Sequence, residues 1–486
     1  MRVSLRYLLF AVAVVCLAAT AASAGFAASN SHKTYNTPET RPLRTAMYDP
    51  FHFNHASPGA FAMTRSAGAQ YIRLTVRWAA IAPATPPPGF DATDPTSPGY
   101  AWGGTDTIVE AAEAAGLSPI LDILTTPEWA YSHRPSGVNA GSPKASELGA
   151  FAQALATHYN GENGLPDVSN YEVWNEPNLT LYLYQAKTSI YRAMVNAVAD
   201  GVHSVDPANL VVAGGLDPFG HPKTKKQKWF SAYPLPWMRS LLCLSKGAHP
   251  HATCHDKIKF DVWSHHPYTW GGAFGKAKAP GNVELGDLPK MRSVLQAGVR
   301  LHHVVSSHPV QFWVTEFGWD TNPPRPHAAS LGLAARWTAE SLYQAWRSGV
   351  SLLTWFVLAD QKGPSPYQSG LYFHASSLSH ARPKPVFTAF RFPFVAYLHG
   401  STVGVWGRDA TSDSKRVAIQ LRHGKSGSWR TVGYVGSNSN GIFRATMKLK
   451  AKKQNWLRAV ASGSGKSLPF SLTVPPASPK IGPWGN

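Results

Sequence analysis

Eight times between residues 45 and 357, a short apolar run ends in polar or aromatic residues and gives way to helical periodicity. The runs are Thr45 to Asp49, Tyr71 to Val76, Ser118 to Leu124, Asn170 to Trp174, Leu210 to Gly214, Phe260 to Ser264, Gln311 to Thr315 and Val350 to Val357. Between them, Thr107 to Ala115, Ala145 to Tyr159 and Ile190 to Val202 repeat at helical spacing, and Gly116 suits a helix C-cap. Strands separated by helices must pair in parallel, because the helix carries the chain back across the sheet. The pattern therefore predicts an α/β fold, a (β/α)8 TIM barrel with insertions. A doubly wound open sheet is the competitor, but no glycine-rich nucleotide turn follows the first run.

Two insertions follow strands and are expected over the barrel's C-terminal face. Pro83 to Gly104 is rich in Pro, Gly and Asp, and Pro218 to Lys259 holds two cysteines. From about residue 401 the rhythm changes to short alternating strands, Arg416 to Leu421, Thr431 to Val435, Ile442 to Leu449 and Trp456 to Ala461, separated by Gly, Ser and Asn. That is the signature of a small antiparallel β-sandwich. The expected organisation is a leader at 1–24, a barrel at 25–400 and a sandwich at 401–486.

The leader reading rests on Arg2 and Arg6, the apolar run Tyr7 to Thr20, and the small residues Ala22-Ser23-Ala24. The run is short for a membrane span, so a secreted protein is expected, with an uncleaved anchor as the alternative. Losing the leader removes Cys16 and leaves Cys243 and Cys254. In an exported chain such a pair suggests a disulfide closing a short loop, with two free thiols as the alternative. His249, His251 and His255 lie nearby but lack a second ligand pair at zinc spacing. Charge is uneven: residues 401–486 carry 14 Lys and Arg against two acids, whereas 25–400 carry 30 against 25. Outside a cell such a basic module has anionic polysaccharide, cell-wall polymer or lipid headgroups as partners, or serves solubility alone. No nucleic-acid motif accompanies it.

Two of the eight runs lead into a glutamate: Glu176 in Trp174-Asn175-Glu176-Pro177, and Glu316 in Thr315-Glu316-Phe317-Gly318. They fall on the fourth and seventh strands, across a barrel mouth from each other. Strand C-terminal ends are where barrel enzymes build their chemistry. Glycoside hydrolysis needs two carboxyl groups flanking one bond, one to give a proton and one to attack or to activate water. Strict alternation would send Asn175 and Glu176 to opposite faces, so a shared site requires an irregular strand end, which Pro177 favours. Glu172 has the parity of Glu176 but sits a layer deeper and reads as structural.

These motifs resemble the clan of retaining barrel glycosidases whose catalytic glutamates end strands four and seven. The similarity extends to Arg73 in Ile72-Arg73-Leu74, Pro127 and Trp129, His266-Pro267-Tyr268 and Trp355. It covers residues 45 to about 395, and local wording is most similar to the family 5 and family 39 branches. The resemblance implies that Glu176 is general acid and then base, and that Glu316 is the nucleophile. It implies that Asn175 binds the sugar 2-hydroxyl, that Tyr268 and Arg73 attend Glu316, and that His266 and Trp355 line the sugar subsite. A carboxyl spacing of about 5–5.5 Å goes with retention. No metal or organic cofactor is implied. The Trp429, Gly441-Ile442-Phe443 and Trp456-Leu457-Arg458-Ala459 segments resemble bacterial immunoglobulin-like modules.

The resulting expectation is a secreted retaining glycoside hydrolase acting on an oligo- or polysaccharide. A transglycosylase on the same site and a catalytically silent carbohydrate-binding barrel are the alternatives.

Overall fold

A computed structural model describes residues 32–136, 140–221, 229–363, 365–411, 415–473 and 481–483. The leader at 1–24 lies outside these. Eight parallel strands close into a barrel. They are β1 (Arg44–Tyr48), β2 (Tyr71–Arg77), β3 (Ser118–Leu124), β4 (Asn170–Val173), β5 (Leu210–Leu216), β6 (Val262–His265), β7 (Gln311–Val314) and β8 (Leu352–Phe356). Closure comes from β8 pairing with β1, Leu352 opposite Arg44 through Phe356 opposite Tyr48. All eight expected strands are present, with ends displaced by a residue or two, as strand ends usually are. Gly116 follows the helix Gly103–Ala114 with φ of 71°, a left-handed cap that lets Ser118 enter β3 directly.

Period-two alternation decides what fills the barrel. Its lower interior is apolar, with Ala46, Ile120, Val212, Val262, Trp313 and Leu352 packed together and against Tyr71 and Leu210. One step up each strand, towards the C-terminal face, the inward positions turn polar: Arg73, Asp122, Glu172 and Ser264 are all buried. Such a change within one barrel separates a packing layer below from a reactive layer above.

The antiparallel region follows directly. Strands β9 (Phe394–His399), β10 (Thr402–Arg408) and β13 (Ile442–Lys448) form one sheet. Strands β11 (Arg416–His423), β12 (Arg430–Gly436) and β14 (Asn455–Ala461) form the centre of the other. Pairing crosses the expected junction at 400/401, since β9 pairs with β10 along its whole length. The short strand Thr34–Asn36, from the N-terminal side of the barrel, adds in parallel to β12. The smaller sheet presses on the helix Leu331–Arg347, where Trp406 lies 5.3 Å from the Tyr343 ring and 5.6 Å from that of Trp346. Past the last strand, Ile481 and Pro483 return to the barrel: their carbonyls accept the backbone N–H groups of Gly271 and Asp320.

Cys243 and Cys254 are joined in a disulfide, with Cα atoms 5.2 Å apart. The loop that holds them divides in two. Its first part stays at the barrel mouth, where Asn178 Nδ2 donates to the carbonyls of Asp217 and Ala232. Its second part, the helix Pro234–Leu241 and the disulfide, runs down beside the helix Thr188–Val205. There Arg192 reaches the Leu241 carbonyl at 2.8 Å and Asp256 at 2.7 Å. The disulfide thus fastens a loop to the flank, not over the mouth as expected. Among the described residues, no helix is long and apolar enough to cross a membrane.

Candidate active site

The end of β4 is irregular, which allows neighbouring residues to share one site. Trp174 and Glu176 both adopt left-handed backbone, φ of 71° and 43°. Neither is glycine, so each conformation costs roughly 1–3 kcal/mol and must be held by its surroundings. The hold is visible: Trp174 N–H donates to the Ile123 carbonyl, Glu176 N–H to that of Gly215, and the Trp174 indole to that of Tyr182. The two twists bring Asn175 and Glu176 round to the barrel mouth together. Asn178, in an Asn-Leu-Thr sequon, is fully buried and its amide is spent on backbone, so it is closed to glycosylation.

Arg73, fully buried on β2, is the hub beneath. Its Nε donates to Glu172 Oε2 at 2.5 Å, Nη2 to Asn175 Oδ1 at 3.1 Å, and Nη1 to Glu316 Oε2 at 3.4 Å. Nη2 also lies 3.0 Å from Asp122 Oδ2, and the guanidinium stacks over the Tyr48 ring at 4.6 Å. Glu172 is held from the other side by the Ser264 hydroxyl at 3.1 Å. One fixed cation so positions Glu316 from β7 and Asn175 from β4 at once.

Above this layer sit the two glutamates, each with about one-sixth of its side chain open, 16% for Glu176 and 15% for Glu316. Tyr268 OH donates to Glu316 Oε1 at 2.8 Å. His266, fully buried after β6, spans the gap. Its Nδ1 is 3.1 Å from Glu176 Oε1, and its Nε2 is 3.2 Å from the hydroxyl of Thr315, the residue before Glu316.

Electrostatics distinguish the two carboxyls. Burial pushes Glu176 up to about 7, opposed only by the charge of Arg73. Burial also raises Glu316, with the charge of Glu176 adding to the rise, while the charge of Arg73 and the Tyr268 hydroxyl work against it. Ionised Glu316 is thus expected to be the better supported, although burial keeps it above the ordinary carboxylate range. Burial lowers His266 to about 4, so its imidazole is neutral and offers one donor and one acceptor. With the proton on Nε2, Nδ1 accepts from a protonated Glu176.

The structure thus gathers Arg73, Asn175, Glu176, His266, Tyr268 and Glu316. It does not bring in Trp355. That residue is fully buried, donates its indole N–H to the Ser369 carbonyl at 2.8 Å, and packs on Phe317 and Phe390. Its parity on β8 points it outward to the helix layer, and the expected sugar-lining role is corrected accordingly. The next residue, Phe356, packs on Tyr48 and Tyr367, rings that lie around the mouth. Trp78 and Trp319 are likewise core, against Phe151 and Trp337.

Several contributors were not picked out from sequence. Asp122 was legible in principle, as the one acid inside the apolar run of β3, at the inward parity of Ile120. Burial takes it up to about 7. Tyr182 and Tyr367 come from loops with no motif. Burial raises both phenols, and the charges of Glu176 and Glu316 add to the rise, so both rings lie near the pair. Asp217, directly after β5, is raised to about 7 by burial and by Glu176.

Comparison with known proteins agrees with this architecture. In solved structures the chain is similar to a family 39 glycoside hydrolase from the gut symbiont Bacteroides cellulosilyticus WH2, with 16% identity and a TM-score of 0.50, over 88% of this chain and 83% of that one. It is also similar to the GH39 enzyme from Xanthomonas axonopodis pv. citri, with 14% identity and a TM-score of 0.50, over 88% and 96%. At such identities the likeness concerns the fold. A comparison with curated proteins finds no sequence match. The model of the cellulase family, glycosyl hydrolase family 5, matches residues 31–344. That match takes in more than half of the chain and both glutamate motifs, and the closed parallel barrel accords with it: the chain belongs to glycosyl hydrolase family 5, in the clan of (β/α)8-barrel glycoside hydrolases.

Proposed function

We propose that the protein is an exported retaining glycoside hydrolase that cleaves an oligo- or polysaccharide by double displacement. Glu176 is its acid/base and Glu316 its nucleophile. The observation that carries this division is the unequal support of the two carboxyls. Glu316 receives a guanidinium and a phenol, whereas Glu176 meets a neutral imidazole in a buried setting. In the first step Glu176 gives its proton to the leaving oxygen as Glu316 attacks the anomeric carbon, forming a glycosyl ester. In the second, Glu176 takes a proton from water, whose oxygen displaces Glu316 and restores both groups. Arg73 and Tyr268 hold the Glu316 oxygens, and Asn175, itself anchored on Arg73, presents its amide to the sugar hydroxyl beside the reacting carbon. Export is supported by the leader pattern at 1–24 and by the disulfide.

The test is the configuration of the first product. On a panel of plant and bacterial polysaccharides, NMR taken within the first minutes should show the anomer of the bond that was cut. The opposite anomer appearing first would refute double displacement.

The pH dependence follows from the same residues. Glu176 must hold its proton to act as acid, and it loses it as pH rises through about 7. The basic limb of kcat/KM should therefore lie near pH 7 for natural linkages. It should move up or vanish for a dinitrophenyl glycoside, whose leaving group needs no proton. A limb identical on both substrates would assign it to another group.

A further inference from the structure

On the outer face of the larger sandwich sheet, two arginines flank one tryptophan. Arg422 on β11 lies 4.6 Å over the Trp429 ring, and Arg458 on β14 lies 4.3 Å from it. Arg422 also reaches Trp456, its neighbour across the strands, at 5.7 Å. Gln420 accepts from Arg458 Nε at 2.8 Å and fixes its fork. All five side chains are half-buried, and Arg430 beside them is exposed.

Two guanidiniums brought to one ring repel each other, and an anion between them would relieve that repulsion. Among the described residues, no carboxylate lies within ion-pair distance of Arg422 or Arg458, and Arg422 Nε has no hydrogen-bond partner. The sandwich has little to offer. Of the two acids from residue 401 onward, Asp409 is buried and bonded to Thr411 and Ser464, and Asp413 lies outside the described residues. Burial, and then the like charge of Arg422, hold Arg458 below its ordinary value.

We propose that this face binds an acidic polysaccharide, with the sugar carboxylates in the guanidinium forks and apolar sugar faces against the Trp456 edge of the platform. Planar forks match carboxylates in a way that lysines cannot. The choice of a polysaccharide rests on the glycosidase reading of the barrel, while the anion requirement stands on the sandwich alone. The bound chain would hold the enzyme at an acidic matrix without entering the barrel.

The test is affinity electrophoresis of the full-length protein in gels containing polygalacturonate, unsubstituted xylan or duplex DNA, together with sedimentation on anionic phospholipid vesicles. Polygalacturonate should retard the protein and xylan should not. Arg422→Gln with Arg458→Gln should weaken retardation by about tenfold or more, since two charge-assisted contacts are lost. Lys448→Gln with Lys450→Gln removes equal charge elsewhere on the sandwich and should change it little. Hydrolysis of a small aryl glycoside should be equal in all three proteins, which separates failure of this site from failure of the barrel. Equal weakening by both pairs would reduce the site to bulk charge and overturn the proposal. So would DNA or vesicle binding that depends on Arg422 and Arg458 while polygalacturonate binding does not. Should the arginine pair unfold the sandwich, Trp429→Phe, which keeps both cations over a ring, should retain binding, and its loss would equally overturn the assignment.

Discussion

Replacing Glu316 by alanine is expected to leave no measurable turnover, because the chain then has no group at the position from which the anomeric carbon is attacked. Arg73, Tyr268 and Asn175 would remain in place, and so would Glu176, the proposed proton donor. The cavity left by the carboxylate is small, polar and flanked by a guanidinium. A small anion such as azide fits it and can take over the attack. Azide should therefore restore part of the activity and produce a glycosyl azide of inverted configuration, since one displacement replaces two. Wild-type rates in the unassisted variant would end the assignment of Glu316. The corresponding change at Glu176 should behave differently. Loss of acid catalysis costs about 10²–10⁴-fold on poor leaving groups and much less on activated ones.

The second large effect concerns folding. Arg73→Met removes the cation that faces Asp122 at 3.0 Å, Glu172 at 2.5 Å and Glu316 at 3.4 Å, all from strands of the barrel wall. Breaking a buried ion pair by deleting one partner costs about 3–5 kcal/mol, because the remaining charge has neither water nor a counter-ion. The sign of the pH dependence follows. Without Arg73, Asp122 and Glu316, both raised by burial, hold their protons to higher pH than they would in the unfolded chain. Folded stability is then fully present below the ordinary carboxylate range and is lost as pH rises through the raised values. Urea midpoints should show the variant weakened modestly at pH 5 and severely at pH 8. A midpoint at pH 8 equal to that of the wild type would mean that the hub is dispensable.

Much of this architecture was legible in the residues because barrel physics is repetitive. Eight apolar runs separated by helical spacing permit few topologies, and each run proved to be a strand. The glutamates stood out because each follows an apolar run within a distinctive motif, and Pro177 marks the abrupt end of the first. Parity was harder. Trp355 and Phe356 are both aromatic and adjacent, and a shift of one residue decides which one faces the mouth. The twist at Trp174 and Glu176 illustrates the limit from the other side. Regular alternation would have excluded Asn175, and only two left-handed residues admit it. Tyr182, Tyr367 and Asp217 sit on loops, where no periodicity constrains side-chain direction. The arginines of the sandwich were visible only as a charge imbalance until the fold brought Arg422 and Arg458 to one ring.

The strand Thr34–Asn36 has a consequence for how the protein comes to be. It pairs with β12, close to 400 residues later in the chain, and Phe394–His399 then enters the same sandwich. Contacts of such sequence separation form late, since the loop must be closed before they are rewarded. A ribosome or a translocation channel delivering this chain from its N-terminus would release the barrel's eight strands before the partner of the first short strand exists. The sandwich is then the closing step of folding, and the barrel spends its synthesis with the helix Leu331–Arg347 uncovered. Under the proposed export, completion of the fold waits until nearly the whole chain has passed through.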